Sequence, residues 1–409
     1  MEFLGHFRRL TPPQRNTFAA CFLGWSLDAF DFFLLTFCVS AIATQFQTKI
    51  SVVAEAIFVT LAFRPVGAFL FGLMADRLGR RPALMVDIIA YSVFELASAG
   101  APSLKVFLIT RAFFGIAMGG EWGVGAALAF ETLPAEGRGF FSGLLQEGYA
   151  VGYLMAALVY GTAFRFVGWR GMFVIGALPA FLVIYIRAKV DESPAWVRGQ
   201  VSRNAKRRWD KDILTYLGTF ALLVVLMFAF NCFSHGTQDL YPTFLTKEHH
   251  FEPKTVMFVT VVANMGALLG GVLFGTWSER IGRRRAIVIA ALLAIPVIPL
   301  WAYSRTVPML ALGGFLMQFM VQGAWGVIPA HLNELSPPAV RGTFPGFAYQ
   351  LGNLLSSRNV VIQAKLAENR YRGLYPPVLA WTVVIVATLV AVVTWSGRER
   401  KGTDMTKTD

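Results

Sequence analysis

Apolar residues run through this chain in long stretches separated by short polar connections, with no strand-like alternation of any length. Crossing a bilayer takes roughly 20 predominantly apolar residues. Such stretches fall at 17–45, 52–74, 83–101, 104–130, 138–162, 170–189, 213–243, 255–276, 285–303, 307–330, 342–363 and 375–396. The pattern predicts an all-α membrane protein of 12 transmembrane spans. One polar stretch is longer than a turn, residues 190–212 at mid-chain, and it carries Arg198, Arg203, Lys206, Arg207, Arg208 and Lys211. It reads as a basic linker between a six-helix half at 1–189 and a second half at 213–409, which ends in a short tail.

Composition agrees: 56% of the 409 residues are hydrophobic and only 15% charged, with a mean hydropathy of +0.55. The spans leave no room for a large soluble domain, so the chemistry has to sit among the helices. A net charge of +13 would suggest nucleic acid in a soluble protein. Here most of the 37 Lys and Arg fall on alternate connections, as they do on the cytoplasmic side of membrane proteins. We expect both termini inside, a bilayer as the surrounding medium and no nucleic-acid partner. The three cysteines lie in apolar stretches without metal or disulfide spacing, and His6, His249, His250 and His331 match no metal site. Arg8, Arg9 and Arg15 precede an apolar run too long for a signal core, so no cleavable leader is expected.

The halves overlay at a constant offset of 203 residues. Gly72-Leu-Met-Ala-Asp76-Arg77-Leu-Gly79-Arg80-Arg81 falls on Gly275-Thr-Trp-Ser-Glu279-Arg280-Ile-Gly282-Arg283-Arg284. The same offset carries Gly120, Trp122 and Gly123 onto Gly323, Trp325 and Gly326, Glu131 onto Glu334, and Arg138-Gly139 onto Arg341-Gly342. Parallel repeats with a site near midplane between them are an architecture of secondary transporters.

The G-x-x-x-D-R-x-G-R-R loop after the second span, with its degenerate copy in the second half, resembles the signature loop of the major facilitator superfamily, and the resemblance covers nearly the whole chain. It implies two pseudo-symmetric six-helix halves. It also implies a gate, with Asp76 set against the start of the eleventh span near Arg341, and Arg77, Arg80, Arg81, Glu279 and Arg280 holding the turns. Glu131 and Glu334, seven residues before Arg138 and Arg341, are expected to tie the same loops together.

Ionisable groups inside a bilayer are costly and so are functional candidates by default. This chain places Asp28 and Asp31 in the first span, Glu95 in the third, Arg111 and Glu121 in the fourth, Glu147 in the fifth, His235 and Asp239 in the seventh and Arg358 in the eleventh. The offset carries Asp28 and Asp31 onto Asn231 and Ser234, so the first and seventh spans present polar groups at matching positions, as a shared central site requires. On a helix, Asn231, Ser234, His235 and Gln238 share one face, with Asp239 one turn from His235.

Asn231-Cys-Phe-Ser234-His235-Gly-Thr-Gln238-Asp239-Leu-Tyr-Pro-Thr243 resembles the N-x-x-S/T-H-x-S/T-Q-D-x-x-x-T signature of Jen-type lactate and short-chain monocarboxylate proton symporters. The resemblance implies that His235 and Asp239 couple protons and that Asn231, Gln238 and neighbouring residues bind substrate. Arg111-Ala-Phe-Phe-Gly-Ile-Ala-Met-Gly-Gly resembles a stretch of the same transporters. Arg111 and His235 both lie roughly 10–12 Å below the outer surface by helical rise, and a guanidinium offers a carboxylate two parallel donors. Glu121, Asp28 and Asp31 are further proton candidates, and pairing of Arg111 with Glu95 is the structural alternative.

The expectation is a proton-coupled importer of a small monocarboxylate, lactate or pyruvate first, working by alternating access, not an enzyme and without a cofactor beyond the coupling proton. The sequence around Glu121 and Asp191-Glu-Ser-Pro is also similar to the sialate–proton symporter group, which keeps sialate or an aromatic acid as an alternative cargo. A third class, a non-transporting sensor, would have to signal through 190–212, which contains no output domain. Short tails and loops suggest a bacterial inner membrane and action as a monomer.

Overall fold

The computed structural model describes residues 7, 9–48, 50–202, 209–251 and 253–403. Linker positions Arg203, Lys206, Arg207 and Arg208 lie outside the described residues, as does His6. Every regular element described is helical. The first half comprises α1 (Pro12–Gln45), α2 (Ile50–Leu78), α3 (Arg80–Ala99), α4 (Leu104–Met118), α5 (Glu121–Thr132), α6 (Arg138–Gln146), α7 (Gly148–Gly176) and α8 (Leu182–Lys189). Helix α9 (Pro194–Ser202) begins the linker. The second half comprises α10 (Trp209–Gln238), α11 (Tyr241–His249), α12 (Pro253–Ile281), α13 (Arg283–Leu293), α14 (Ile298–Ala302), α15 (Val307–Leu335), α16 (Phe344–Ser356), α17 (Asn359–Arg370) and α18 (Pro376–Ser396).

Among the described residues, ten stretches are long and apolar enough to cross a membrane. The two other expected spans, 138–162 and 342–363, are interrupted helices. Helix α6 gives way to α7 at Glu147, and α16 to α17 at Ser357 and Arg358. The fourth span also breaks, at Gly119-Gly120, between α4 and α5. No loop separates the fifth and sixth spans as the hydropathy pattern predicts. Helix α7 runs through and bends at Gly168, whose φ of 61° and ψ of −175° suit glycine alone.

The outer surface of the bundle is apolar where lipid would meet it: Phe58, Leu70, Val93, Leu158, Leu269, Leu312, Trp381 and Ile385 are all exposed. Backbone groups are satisfied within the helices, as a hydrocarbon surround demands. Glycines set the closest helix crossings, and the repeat governs where they sit. A Cβ on Gly67 would strike the carbonyl of Ile116, and one on Gly270 would strike that of Phe319. Both members of the second pair stand 203 residues after those of the first. Small residues at such crossings let backbones pack where side chains cannot intervene.

The first and last described residues, Phe7 and Thr403, lie at one end of the bundle, with the arginine-rich turns. Phe7 packs on Phe140 with ring centroids 5.7 Å apart, and Arg138 donates to the carbonyl of Thr403 at 3.0 Å. The halves touch each other at this basic end, chiefly where α6 meets α12 and α15 and where α2 meets α16.

Candidate functional site

The seal at the basic end is built twice, once in each half. Asp76, at the end of α2, accepts hydrogen bonds from the backbone amides of Gly342 (2.8 Å) and Thr343 (3.1 Å) and from the Thr343 hydroxyl (2.6 Å). Its repeat mate Glu279 accepts from the amide of Gly139 in the opposite half. Arg80 braces Asp76 at 3.1 Å and forks onto Glu131, just as Arg283 forks onto Glu334. Arg138 reaches Glu334 at 3.5 Å across the halves, and Arg341 lies 3.8 Å from Glu131. Arg81 donates to the carbonyl of Arg187, while Arg77 and Arg280 lie exposed at this end. Glu192, beyond the spans, accepts from the amides of Arg80 and Arg81. Burial pushes its carboxyl above the usual range, against the pull of those amides.

Above the seal an aromatic layer bridges the halves. Tyr349 sits between Trp122 (centroids 4.8 Å) and Trp325 (5.7 Å), two tryptophans equated by the repeat, and Trp122 donates to Gln146 at 3.3 Å. Beneath it, the backbones of Gly123 and Gly346 meet so closely that neither position has room for a Cβ.

The first half contributes buried carboxylates and two guanidiniums. Asp28 is paired with Arg64 of α2 at 2.9 Å, both almost wholly buried. Arg111 donates to Glu95 at 2.5 Å and lies over the Phe114 ring at 3.8 Å. Asp31, Asp87 and Glu121 are buried; neither Asp31 oxygen has a hydrogen-bond donor, and the carboxyls of Asp87 and Glu121 lie within hydrogen-bonding reach of each other. Glu121 opens α5 just past the Gly119-Gly120 break and lies against Gly24 of α1. Five buried acids thus stand with two arginines in this half.

The second half contributes neutral amides and one imidazole. His235 Nδ1 lies 3.2 Å from an Asp239 carboxylate oxygen. The two side chains keep 37% and 34% of their surface open. Gln238 donates to Gln318 at 2.7 Å, Gln318 to Thr237 at 3.2 Å, and Gln322 to Ser234 at 3.2 Å. Gln363 donates to the carbonyl of Gly236 at 3.1 Å. The Asn231 side chain donates to the carbonyl of Met227 one turn back, so its own oxygen is left to accept. Tyr149 stacks on Trp25 with ring centroids 5.7 Å apart and meets Phe33 edge-on at 5.2 Å.

Ser234 and Gln238 of α10 both meet glutamines of α15, whereas Arg111 turns to Glu95. It is fully buried, and its ionic partner is Glu95, because a desolvated guanidinium takes the nearest carboxylate when no ligand competes. Sequence reasoning gives no role to Arg64, Asp87 or the Gln318–Gln322 ladder. The signal was present: Arg64 precedes a proline inside an apolar span, and the two glutamines stand one turn apart in the tenth. Among the described residues no cluster of His, Cys, Asp and Glu has the form of a metal site.

Two repeat-related six-span halves, closed upon each other at one end, form the fold of a membrane transporter. The chain belongs to the Major Facilitator Superfamily, whose family model matches residues 21–357 and 224–404. It is 30% identical over 389 residues to a carboxylic acid transporter protein homolog of Saccharomyces cerevisiae, covering 88% of this chain but only 62% of that relative's length. It is 30% identical over 358 residues to a probable 4-methylmuconolactone transporter of Cupriavidus pinatubonensis, with 86% and 83% covered. It is 28% identical over 399 residues to the sialic acid transporter NanX of Escherichia coli, with 95% of each covered. Among solved structures, the proton:xylose symporter XylE superposes with a TM-score of 0.76 at 18% identity, over 96% of this chain and 98% of that one. That likeness is one of fold.

Proposed function

We propose that this protein is a proton-coupled symporter that imports a small monocarboxylate, lactate or pyruvate first, through a bacterial inner membrane with both termini in the cytoplasm. The observation that carries the reading is the half-open His235–Asp239 pair on the helix face that also presents Asn231, Ser234 and Gln238. A protonated imidazole adds positive charge where a carboxylate arrives, so proton and anion each tighten the binding of the other. Asn231, Ser234 and Gln238 orient the anion by hydrogen bonds. In this reading Asp28 and Arg64 supply the first half's share of the site, and protonation of Asp28 frees a guanidinium for the anion. Arg111 takes part only after Glu95 is protonated and lets go.

In this scheme the seal around Asp76 and Glu279 closes the cytoplasmic side while the His235 face remains open to the outside. Asp31 and Glu121 hold protons in reserve within the first half. The similarity to a carboxylic acid transporter homolog favours an organic acid. The similarity to NanX favours a second reading, a larger anion such as sialate or an aromatic acid, on the same machine. Uptake of labelled acids into proteoliposomes under an inward proton gradient separates the two. Accumulation of lactate supports the first reading. Accumulation of sialate or an aromatic acid with no lactate uptake removes it.

A further inference from the structure

Glu147 is the one intramembrane acid singled out in the sequence that the scheme above leaves without work. It occupies the break between α6 and α7, is 4% exposed, and lies in the contact between the halves. Its carboxyl rests against the backbone of Gly271 on α12, so closely that a Cβ at that position would overlap it. The same stretch of α12 is touched by Gly143 of α6 and Gly326 of α15, so the carboxyl lies in a seam of bare backbone.

What faces it carries no charge. Helix α12 offers Gly271 and Val272, α15 offers Gly326, and α1 offers Trp25 and Ser26 beside Gly148. No charged or titratable side chain among the described residues acts on the carboxyl electrostatically, and its Oε1 makes no hydrogen bond. An ionised carboxylate left there would press an oxygen without any donor against bare backbone, a state that membrane interiors disfavour strongly. The repeat supplies an independent comparison. The residue 203 positions later is Gln350, equally buried, with both amide atoms unpartnered. The fold therefore accepts a neutral group of this size and shape at the matched position.

We propose that Glu147 is a proton-binding switch: its carboxyl carries a proton while the basic end is closed and releases it to water when the halves part there. Ionisation then holds that end open, because closing would drive the charge back against the Gly271 backbone. The sign is fixed by the geometry. Acid favours the closed state, and rising pH on the side of the basic end favours the open one. That this side is the cytoplasm rests on the proposed orientation. The switch itself depends on no particular substrate.

The test is a distance measurement between spin labels on Leu78→Cys and Arg398→Cys, one from each half at the basic end, in nanodiscs without substrate. Both native residues are exposed, and Cys21, Cys38 and Cys232 are buried. The unsubstituted Glu147 protein is expected to pass from short to long distances as pH rises, and Glu147→Gln to stay short at every pH. A Glu147→Gln protein that opens with the same pH dependence overturns the proposal, and so does a Glu147 protein that does not respond to pH. An infrared difference spectrum of the two forms reads the group directly. A protonated-carboxyl band present in the closed form and missing in Glu147→Gln supports the switch, and its absence from the closed form sinks it. Neither readout involves transport, so failure here is distinct from failure of the monocarboxylate reading.

Discussion

Arg111 holds Glu95 at 2.5 Å with neither side chain reached by solvent. A pair of this kind contributes little net stability while intact and becomes a liability once one member is lost. We therefore expect Arg111→Ala to destabilise the protein by about 3–5 kcal/mol, the usual result of stranding a buried charge. Glu95→Gln should be much milder and should tighten anion binding by freeing the guanidinium. Thermal unfolding in detergent, followed by calorimetric titration with the transported acid, measures both. A Glu95→Gln protein with weakened affinity removes Arg111 from the substrate's path.

The seal predicts an asymmetric result. Asp76 accepts three hydrogen bonds from the opposite half, each to a charged acceptor and worth about 1.5–3 kcal/mol. Asp76→Ala should shift the population toward opening at the basic end by at least about tenfold. Folding should survive, because the lost contacts lie between the halves. Alkylation of a cysteine placed at Ser142, which is buried and accepts from the amide of Ala330 across the halves, reads the shift. Unchanged protection of that thiol would show that Asp76 is not what holds the seal.

Coupling is expected to fail at His235 before anything else does. His235→Ala should abolish accumulation against a gradient while leaving downhill exchange of the anion, and Asp239→Asn should weaken the pH dependence without removing it. Uptake at several external pH values decides. If the alanine variant still concentrates its substrate with normal pH dependence, the proton site moves to the first half, to Glu121 or to Asp28 and Asp31.

Gly168 makes a purely conformational prediction. Nothing lies within 4 Å of a Cβ built there, yet its φ is +61°. Gly168→Ala should therefore lower stability by an amount on the order of 1–3 kcal/mol, through backbone strain alone. Melting curves for alanine and for serine, which should lose stability alike, compared with glycine, would expose any other cause.

The spans and the repeat are legible in the sequence because hydropathy reports depth and a constant offset reports symmetry. The Asp76 and Glu279 loops stand out for the same reason. Partner choice is another matter. Depth puts Arg111 and His235 at one level but says nothing of which way each side chain turns about its helix axis, and Arg111 turns toward Glu95. The helix breaks at Glu147 and at Ser357-Arg358 escape a window of some 20 residues, which averages over a single non-helical position. The Gln318–Gln322 ladder is hidden by the apolar residues around it, and only its one-turn spacing betrays it.

The surfaces that must come apart are rich in glycine: Gly123 on Gly346, Gly139 and Gly143 on Gly275, Gly143 on Gly271. A joint of interdigitating side chains has to lift every knob out of its hole before it can move, and the barrier grows with each. Here main chain slides on main chain with nothing to unhook, so the halves can rock as smooth bearings do. The charged clusters around them, with the Trp122–Tyr349 contact and the Ser142–Ala330 hydrogen bond, then serve as the catches to be released.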